Sequence, residues 1–275
     1  VADIQSGFST SSPGYYMGAI LVGDTLYFSA NDGSNGQELW AHQPSEITSL
    51  GGGSGSGSGS GSSSGGSGSG TGTSNGNGTT WQVADIRSGA TSSYPGQYME
   101  ILVGDTLYFD ADDGNSGYEL WAHDTSNAST WQVADIRIGQ IGSIPGYYMG
   151  AILVGDTLYF DADDGSGGTE LWAHDTSNAS TWRVADINSG SSHSYPGQYM
   201  EILVGDTLYF DADDGSDGRE LWAHDTSNAS TWQVADINSG SSHSFPGSYM
   251  EMLVGDTLYF SANGGNGHEL WAHDT

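Results

Sequence analysis

The chain is built from repeats. The octapeptide LVGDTLYF begins at Leu21, Leu102, Leu153, Leu203 and Leu253, and the tetrapeptide VADI begins at Val1, Val83, Val133, Val184 and Val234. Copies recur every 50 or 51 residues with one interruption. A period of that size belongs to supersecondary units that bury their apolar faces only against neighbouring copies. Between the first two VADI segments the spacing grows to 82 residues, across a stretch at 51–80 composed almost wholly of glycine and serine. Such a composition cannot bury apolar surface and predicts a flexible linker. The expected organisation is a first repeat at 1–50, a linker at 51–80 and four further repeats at 81–275.

One repeat reads as four short strands. In the second copy these fall at 99–103, 106–111, 119–123 and 130–136, and Gly104-Asp105 is a two-residue hairpin turn between the first two. Leu107 and Phe109 point one way and Tyr108 the other, while Leu120 and Trp121 also face opposite sides, so both faces of the sheet are expected to be buried. No helical periodicity appears. Repetition of such a meander predicts an all-β, five-bladed β-propeller of four-stranded antiparallel blades. Residues 1–4 read as a fourth strand and residues 269–273 as a third, so the N-terminal strand is expected to close the last blade and cover its edge.

The stretch LVGDTLYFDADDGSDGRELWAHDTSNAST at 203–231, with VADINSGSSHSYPG at 184–197 before it, resembles the bacterial secreted repeats named for ELW, two further residues and Asp-Gly-Thr. The resemblance covers all five copies and excludes the Gly/Ser stretch. Here Asp225 is followed by Thr226 in place of Gly-Thr, so the turn departs from the family pattern. The resemblance implies a secreted or surface-exposed, propeller-like repeat domain, and it brings no catalytic residues.

Charge narrows the partners. Thirty-four acidic residues stand against four basic ones, a formal net charge of −30. Nucleic acid and anionic membrane surfaces are excluded as partners on electrostatic grounds, and cations or salt are expected to screen the surface. The absence of cysteine removes disulfides, thiolate metal sites and cysteine nucleophiles. No apolar run is long enough for a membrane-spanning helix. No signal peptide is visible, and a chain that starts inside a repeat is expected to be a mature or trimmed product.

In an up-and-down blade the loop entering the first strand and the loop between strands two and three share one end. That end collects an acidic loop in three copies: Asp110, Asp112 and Asp113; Asp161, Asp163 and Asp164; Asp211, Asp213 and Asp214. Hard oxygen ligands around a glycine turn fit calcium, and they equally fit a polar turn in which aspartate meets backbone demands. Copies one and five carry Ser29-Ala30-Asn31-Asp32 and Ser261-Ala262-Asn263-Gly264 instead. Tyr98, Tyr148, Tyr199 and Tyr249, with His193 and His243, form a mixture able to stack on sugar rings, or simply to wedge between blades. The recurring tryptophans and strand-three histidines read as core. Asn127, Asn178 and Asn228 stand in Asn-Ala-Ser sequons on exposed turns and are candidate glycosylation sites.

No GxSxG, HExxH or phosphate-binding motif is present, and nearly every polar residue is copied around the repeats, whereas an active site needs unlike residues at unlike positions. The expectation is a non-enzymatic, extracellular or cell-surface module that associates with itself in a fibre or adhesive matrix. The linker offers one route. It spans about 30 Å root-mean-square, where adjacent strands need about 5 Å, so the first repeat could exchange between subunits and build a filament. The alternative is a calcium-assisted, multivalent carbohydrate-binding lectin.

Overall fold

The computed structural model describes residues 3–5, 9–45, 73–74 and 78–275. Twenty strands and no helix are found among them, so no helix is long and apolar enough to cross a membrane. The first repeat holds β1 (Ile20–Val22), β2 (Thr25–Asn31), β3 (Gln37–Gln43), β4 (Thr73–Ser74) and β5 (Thr79–Ala84). The second holds β6 (Glu100–Val103), β7 (Thr106–Asp112), β8 (Tyr118–Asp124) and β9 (Ser129–Ala134). Next come β10 (Ile152–Val154), β11 (Thr157–Asp163), β12 (Thr169–Asp175) and β13 (Ser180–Ala185). The fourth repeat holds β14 (Glu201–Val204), β15 (Thr207–Asp213), β16 (Arg219–Asp225) and β17 (Ser230–Ala235). The fifth holds β18 (Glu251–Val254), β19 (Thr257–Asn263) and β20 (His268–Asp274).

Each repeat is one antiparallel meander, and the five sheets together make an all-β architecture. Gly104 shows why the first hairpin is so tight. It takes φ +59° between the paired residues Val103 and Thr106, which suits a type II′ turn with glycine at its first central position.

Successive sheets are joined by their apolar faces. Met99, Tyr108, Leu120 and Ala122 of the second sheet pack on Leu158, Phe160 and Ala162 of the third, and the same set recurs at the other three junctions. The alternation of LYF thus puts tyrosine toward the following sheet and leucine and phenylalanine toward the preceding one. A histidine completes each junction: His123, His174, His224 and His273 lie with ring centroids 5.4 Å from Tyr27, Tyr108, Tyr159 and Tyr209 of the sheet before. His123 and Thr130 are joined by a 2.8 Å hydrogen bond, and burial holds this imidazole down to about 4, so it packs as a neutral ring.

The glutamate of ELW ties each sheet to the loop that leads into the next. Glu119 is buried and accepts from Ile136 N–H at 2.9 Å, Ser143 N–H at 2.9 Å and the Ser143 hydroxyl at 2.6 Å. Glu38 repeats all three bonds, and Glu170 and Glu220 repeat those from the isoleucine N–H and the serine hydroxyl.

Two expectations need adjustment. Thr73–Ser74 pairs with Thr79–Thr80 as an antiparallel strand on the first sheet, so the tail of the Gly/Ser stretch contributes to structure. Most of the rest of 51–80 lies outside the described residues. Val1 and Ala2, expected to begin the closing strand, also lie outside them. Ile4 rests on Phe28, Ala30 and Trp40 of the first sheet. Among the described residues β20 pairs with β19 on one side and with no strand on its outer edge, so the last sheet has three strands.

Junction packing sets a stability prediction. Phe160→Ala should cost about 3–5 kcal/mol by emptying the centre of a junction, whereas Ile138→Ala, at a side chain 90% exposed, should stay within about 0.5 kcal/mol. Urea denaturation of both variants checks this.

Candidate functional site

The loops that enter each sheet fold back over the ends of strands two and three. Ser93 N–H donates to Gln37 O at 2.9 Å, Gly96 N–H to Asp110 O at 2.9 Å, and Asp112 N–H to Ser93 O at 2.9 Å. Residues before the loop prolines are forced into the left-handed region: Tyr94 at φ +50°, Ile144 at +51°, Tyr195 at +48° and Phe245 at +50°. This region is costly for bulky side chains and unusual before proline, so the surrounding hydrogen bonds hold these residues in place.

The aspartates of the acidic loops divide into three structural tasks. Asp110 is fully buried, and its Oδ1 accepts from Tyr98 N–H at 2.8 Å and Met99 N–H at 2.9 Å. Asp161 does the same for Tyr148 and Met149, and Asp211 for Tyr199 and Met200. Asp113, Asp164 and Asp214 cap their own turns through backbone N–H groups two and three residues ahead. Asp112 and Asp163 pair with Arg87 and Arg137, while Asp213 lies 3.6 Å from His243. Arg183 lies 3.8 Å from Asp164 and 3.5 Å from Asp186, and Arg219 lies 2.6 Å from Asp211. All four arginines of the chain therefore sit on aspartates. Among the described residues no group of three or more His, Asp or Glu side chains is arranged to hold a metal ion, so the nine loop aspartates are not gathered into a calcium cage.

Above the buried aspartates the tyrosines meet in a continuous arc. Ring contacts run from Tyr16 to Tyr94, from Tyr94 to Tyr118, and through Tyr98, Tyr147 and Tyr148 to Tyr195, at centroid distances of 4.6–6.4 Å. Arg219 then bridges Tyr195 and Tyr199, 5.6 and 5.7 Å from their centroids, and Tyr199 meets Phe245 at 5.7 Å. His193 stacks on Tyr195, and its Nδ1 accepts from Thr169 N–H at 2.9 Å. His243 accepts from Arg219 N–H at 2.8 Å in the same way. Tyr249 is exposed and touches only His268 among ring partners described, at 4.8 Å. Five of the six sequence-derived ligand residues thus lie in or beside the arc, and Tyr249 stands at the next repeat. A cavity of ≈ 330 Å³ opens in this arc at the third repeat, lined by Tyr147, Tyr148, Asp161, Thr169, His193 and Tyr195 among others.

Asn127, Asn178 and Asn228 occupy exposed turns at the opposite hairpins. Each side-chain amide donates to the aspartate three residues earlier, Asp124, Asp175 or Asp225.

No protein-family model and no curated protein sequence matches the chain. Among solved structures, puromycin hydrolase is similar at 11% identity and TM-score 0.48, over 89% of this chain and 33% of that one. BamB from Moraxella catarrhalis is similar at 15% identity and TM-score 0.41, over 94% and 60%. Oligopeptidase B from Leishmania major is similar at 12% identity and TM-score 0.46, over 92% and 32%. The chain thus spans between about a third and three-fifths of the length of these structures.

Two positions escaped the sequence reading. The ELW glutamates are not singled out by the sequence, although their place beside an apolar leucine on a sheet buried on both faces is a signal. The second is the residue that starts the third strand, two positions along from the partner of the buried aspartate: Tyr118, Thr169 and Arg219 in copies two to four, where a varying residue stands in a constant frame.

The buried carboxyls give the fold a pH dependence. Burial pushes Glu38 up to about 8, and Asp110, Glu119, Asp161, Glu170 and Glu201 up to about 7. The folded chain therefore holds protons that the unfolded chain, with carboxyls near pKa ~4, has released. The destabilisation is absent below both values and grows as pH rises through the folded ones. Calorimetry should show Tm rising as pH falls from 8 to 7, above the pH of about 6.5 at which the unfolded chain's histidines take up protons that buried His123, His174 and His224 do not, which opposes the trend.

Proposed function

We propose that this chain is a non-enzymatic structural module of an extracellular fibre or matrix, assembled head to tail by docking the fifth sheet of one copy on the first sheet of the next. One observation carries the reading: the two ends of the row of sheets present complementary halves of the same junction. On the fifth sheet Leu270 is 66% exposed, whereas its counterpart Leu221 is 1% exposed, and Met252 and Val254 are also uncovered. The first sheet carries Leu26, Phe28 and Ala30, the counterparts of the residues that fill the other half of every internal junction; Leu26 is half-buried, and Ile4 and Trp40 pack with Phe28 and Ala30, which are 9% and 0% exposed.

Two specific matches go with the apolar one. Each internal junction pairs a tyrosine with a histidine of the following sheet; among the described residues only Tyr259 and His42 lack that pairing. Each ELW glutamate binds an isoleucine N–H and a loop serine, while Glu269 is exposed, and the corresponding groups are Ile4 N–H and Ser11 on the first repeat. In this reading the sheets are the five blades of propeller units, and residues 1–4 of the neighbouring copy supply the strand that β20 lacks. A heterologous contact of this kind does not close on itself and extends into a filament. Exchange of the first repeat between subunits produces the same junction. Copying of nearly every polar group from repeat to repeat supports a structural role over a catalytic one.

Sedimentation over a hundredfold concentration range tests the proposal. Wild-type protein should grow into large assemblies, and Leu270→Glu should hold it at 28.7 kDa. A wild-type species of constant 28.7 kDa at every concentration would overturn it, since the two faces would then meet within one chain or not at all.

A further inference from the structure

The cavity in the third repeat has a filled counterpart one repeat on. At equivalent positions the chain places Asp161 with Thr169 and Asp211 with Arg219, each aspartate near the end of the second strand and its partner at the start of the third. In the fourth repeat Arg219 Nη1 donates to Asp211 Oδ2 at 2.6 Å and to Tyr195 O at 2.9 Å, with its guanidinium against the Tyr195 and Tyr199 rings. Thr169 is too short to reach the same place. Asp161 is 0% exposed, its Oδ1 holds two backbone N–H groups, and its Oδ2 has no hydrogen-bond partner. An orphan buried carboxylate oxygen is costly unless something donates to it. The second repeat places Tyr118 at this position; its hydroxyl donates to Gln97, and Asp110 Oδ2 is likewise without a hydrogen-bond partner, so the third repeat differs in having the space open beside that oxygen.

We propose that the third-repeat cavity is a binding site for a guanidinium group, as carried by an arginine side chain, which takes the place that Arg219 fills in the fourth repeat. Asp161 Oδ2 accepts its N–H, and Tyr148, the counterpart of Tyr199, stacks on the planar cation; Ile144 stands where Tyr195 does in the fourth repeat, and the Tyr195 ring lines the same cavity. Tyr147, 51% exposed, stands where the cavity meets solvent. Geometry favours guanidinium over ammonium: a planar donor fork both stacks on rings and reaches the aspartate, whereas a lysine head is a compact, strongly hydrated point charge. The net charge of −30 raises the local concentration of any cation, so selectivity among cations is the decisive property.

Titration of N-acetyl-arginine amide against the full chain, followed by calorimetry and by tyrosine chemical shifts, tests the site. Saturable binding is expected, with N-acetyl-lysine amide weaker by about tenfold or more, and Asp161→Asn should weaken the arginine compound by a similar factor. Burial pushes Asp161 up to about 7, so binding should also tighten as pH rises from 6 to 8 and the carboxyl ionises. A second variant, Thr169→Arg, supplies the guanidinium in place; it should abolish binding and raise Tm by about 2–4 °C. Equal, non-saturable uptake of both compounds that neither variant alters would show only general counter-ion attraction and would overturn the assignment. So would a Thr169→Arg protein that is less stable than wild type and binds as before.

Discussion

Everything in this molecule depends on the face-to-face junction between consecutive sheets. A four-stranded meander has two apolar faces and no core of its own, so each sheet is stable only between two others. The junction is built from large, well-defined side chains, with Phe160 and Leu158 on one side and Tyr108, Leu120 and Met99 on the other. Because the same set recurs four times, the fifth sheet exposes Leu270 where the internal sheets bury its counterpart. The proposed association uses that repeated chemistry without any additional binding motif.

Charge is managed by position. Backbone N–H groups and serine hydroxyls converge on the ELW glutamates, two backbone N–H groups hold each of Asp110, Asp161 and Asp211, and the four arginines neutralise loop aspartates. Several of these carboxyls are desolvated enough to retain protons near neutrality, which lowers the repulsion the formal count implies. The remaining carboxylates lie mostly at turns, where Asp124 or Asp175 accepts from the serine and asparagine that follow it.

Much of this was legible from the chain. The repeat, the Gly-Asp hairpins and burial of both faces follow from alternation and turn chemistry, and the strands fall where the LYF and ELW segments place them. The acidic loops were harder to read, because a string such as Asp161-Ala162-Asp163-Asp164 does not say which oxygen points inward. Strand alternation sends Asp161 beneath the tyrosines and leaves Asp164 on the turn. The tyrosine arc was visible as a cluster of residue types at one end, but its continuity depends on left-handed Tyr94, Ile144 and Tyr195, which sequence alone does not announce before proline. The edge of the fifth sheet is a different case. The matching VADI at the start of the chain suggested a completed edge; Ile4 packs on the first sheet as Ile86 packs on the second, Val1 and Ala2 lie outside the described residues, and Leu270 is exposed.

The central claim is that the last sheet waits for a first sheet from another copy. Amide hydrogen exchange across β20, compared between dilute and concentrated protein, measures this most directly. The account predicts fast exchange at the edge amides of Glu269–His273 in dilute solution and strong protection once copies associate. Equal protection at both concentrations would contradict it, because the edge would then already be covered within a single chain.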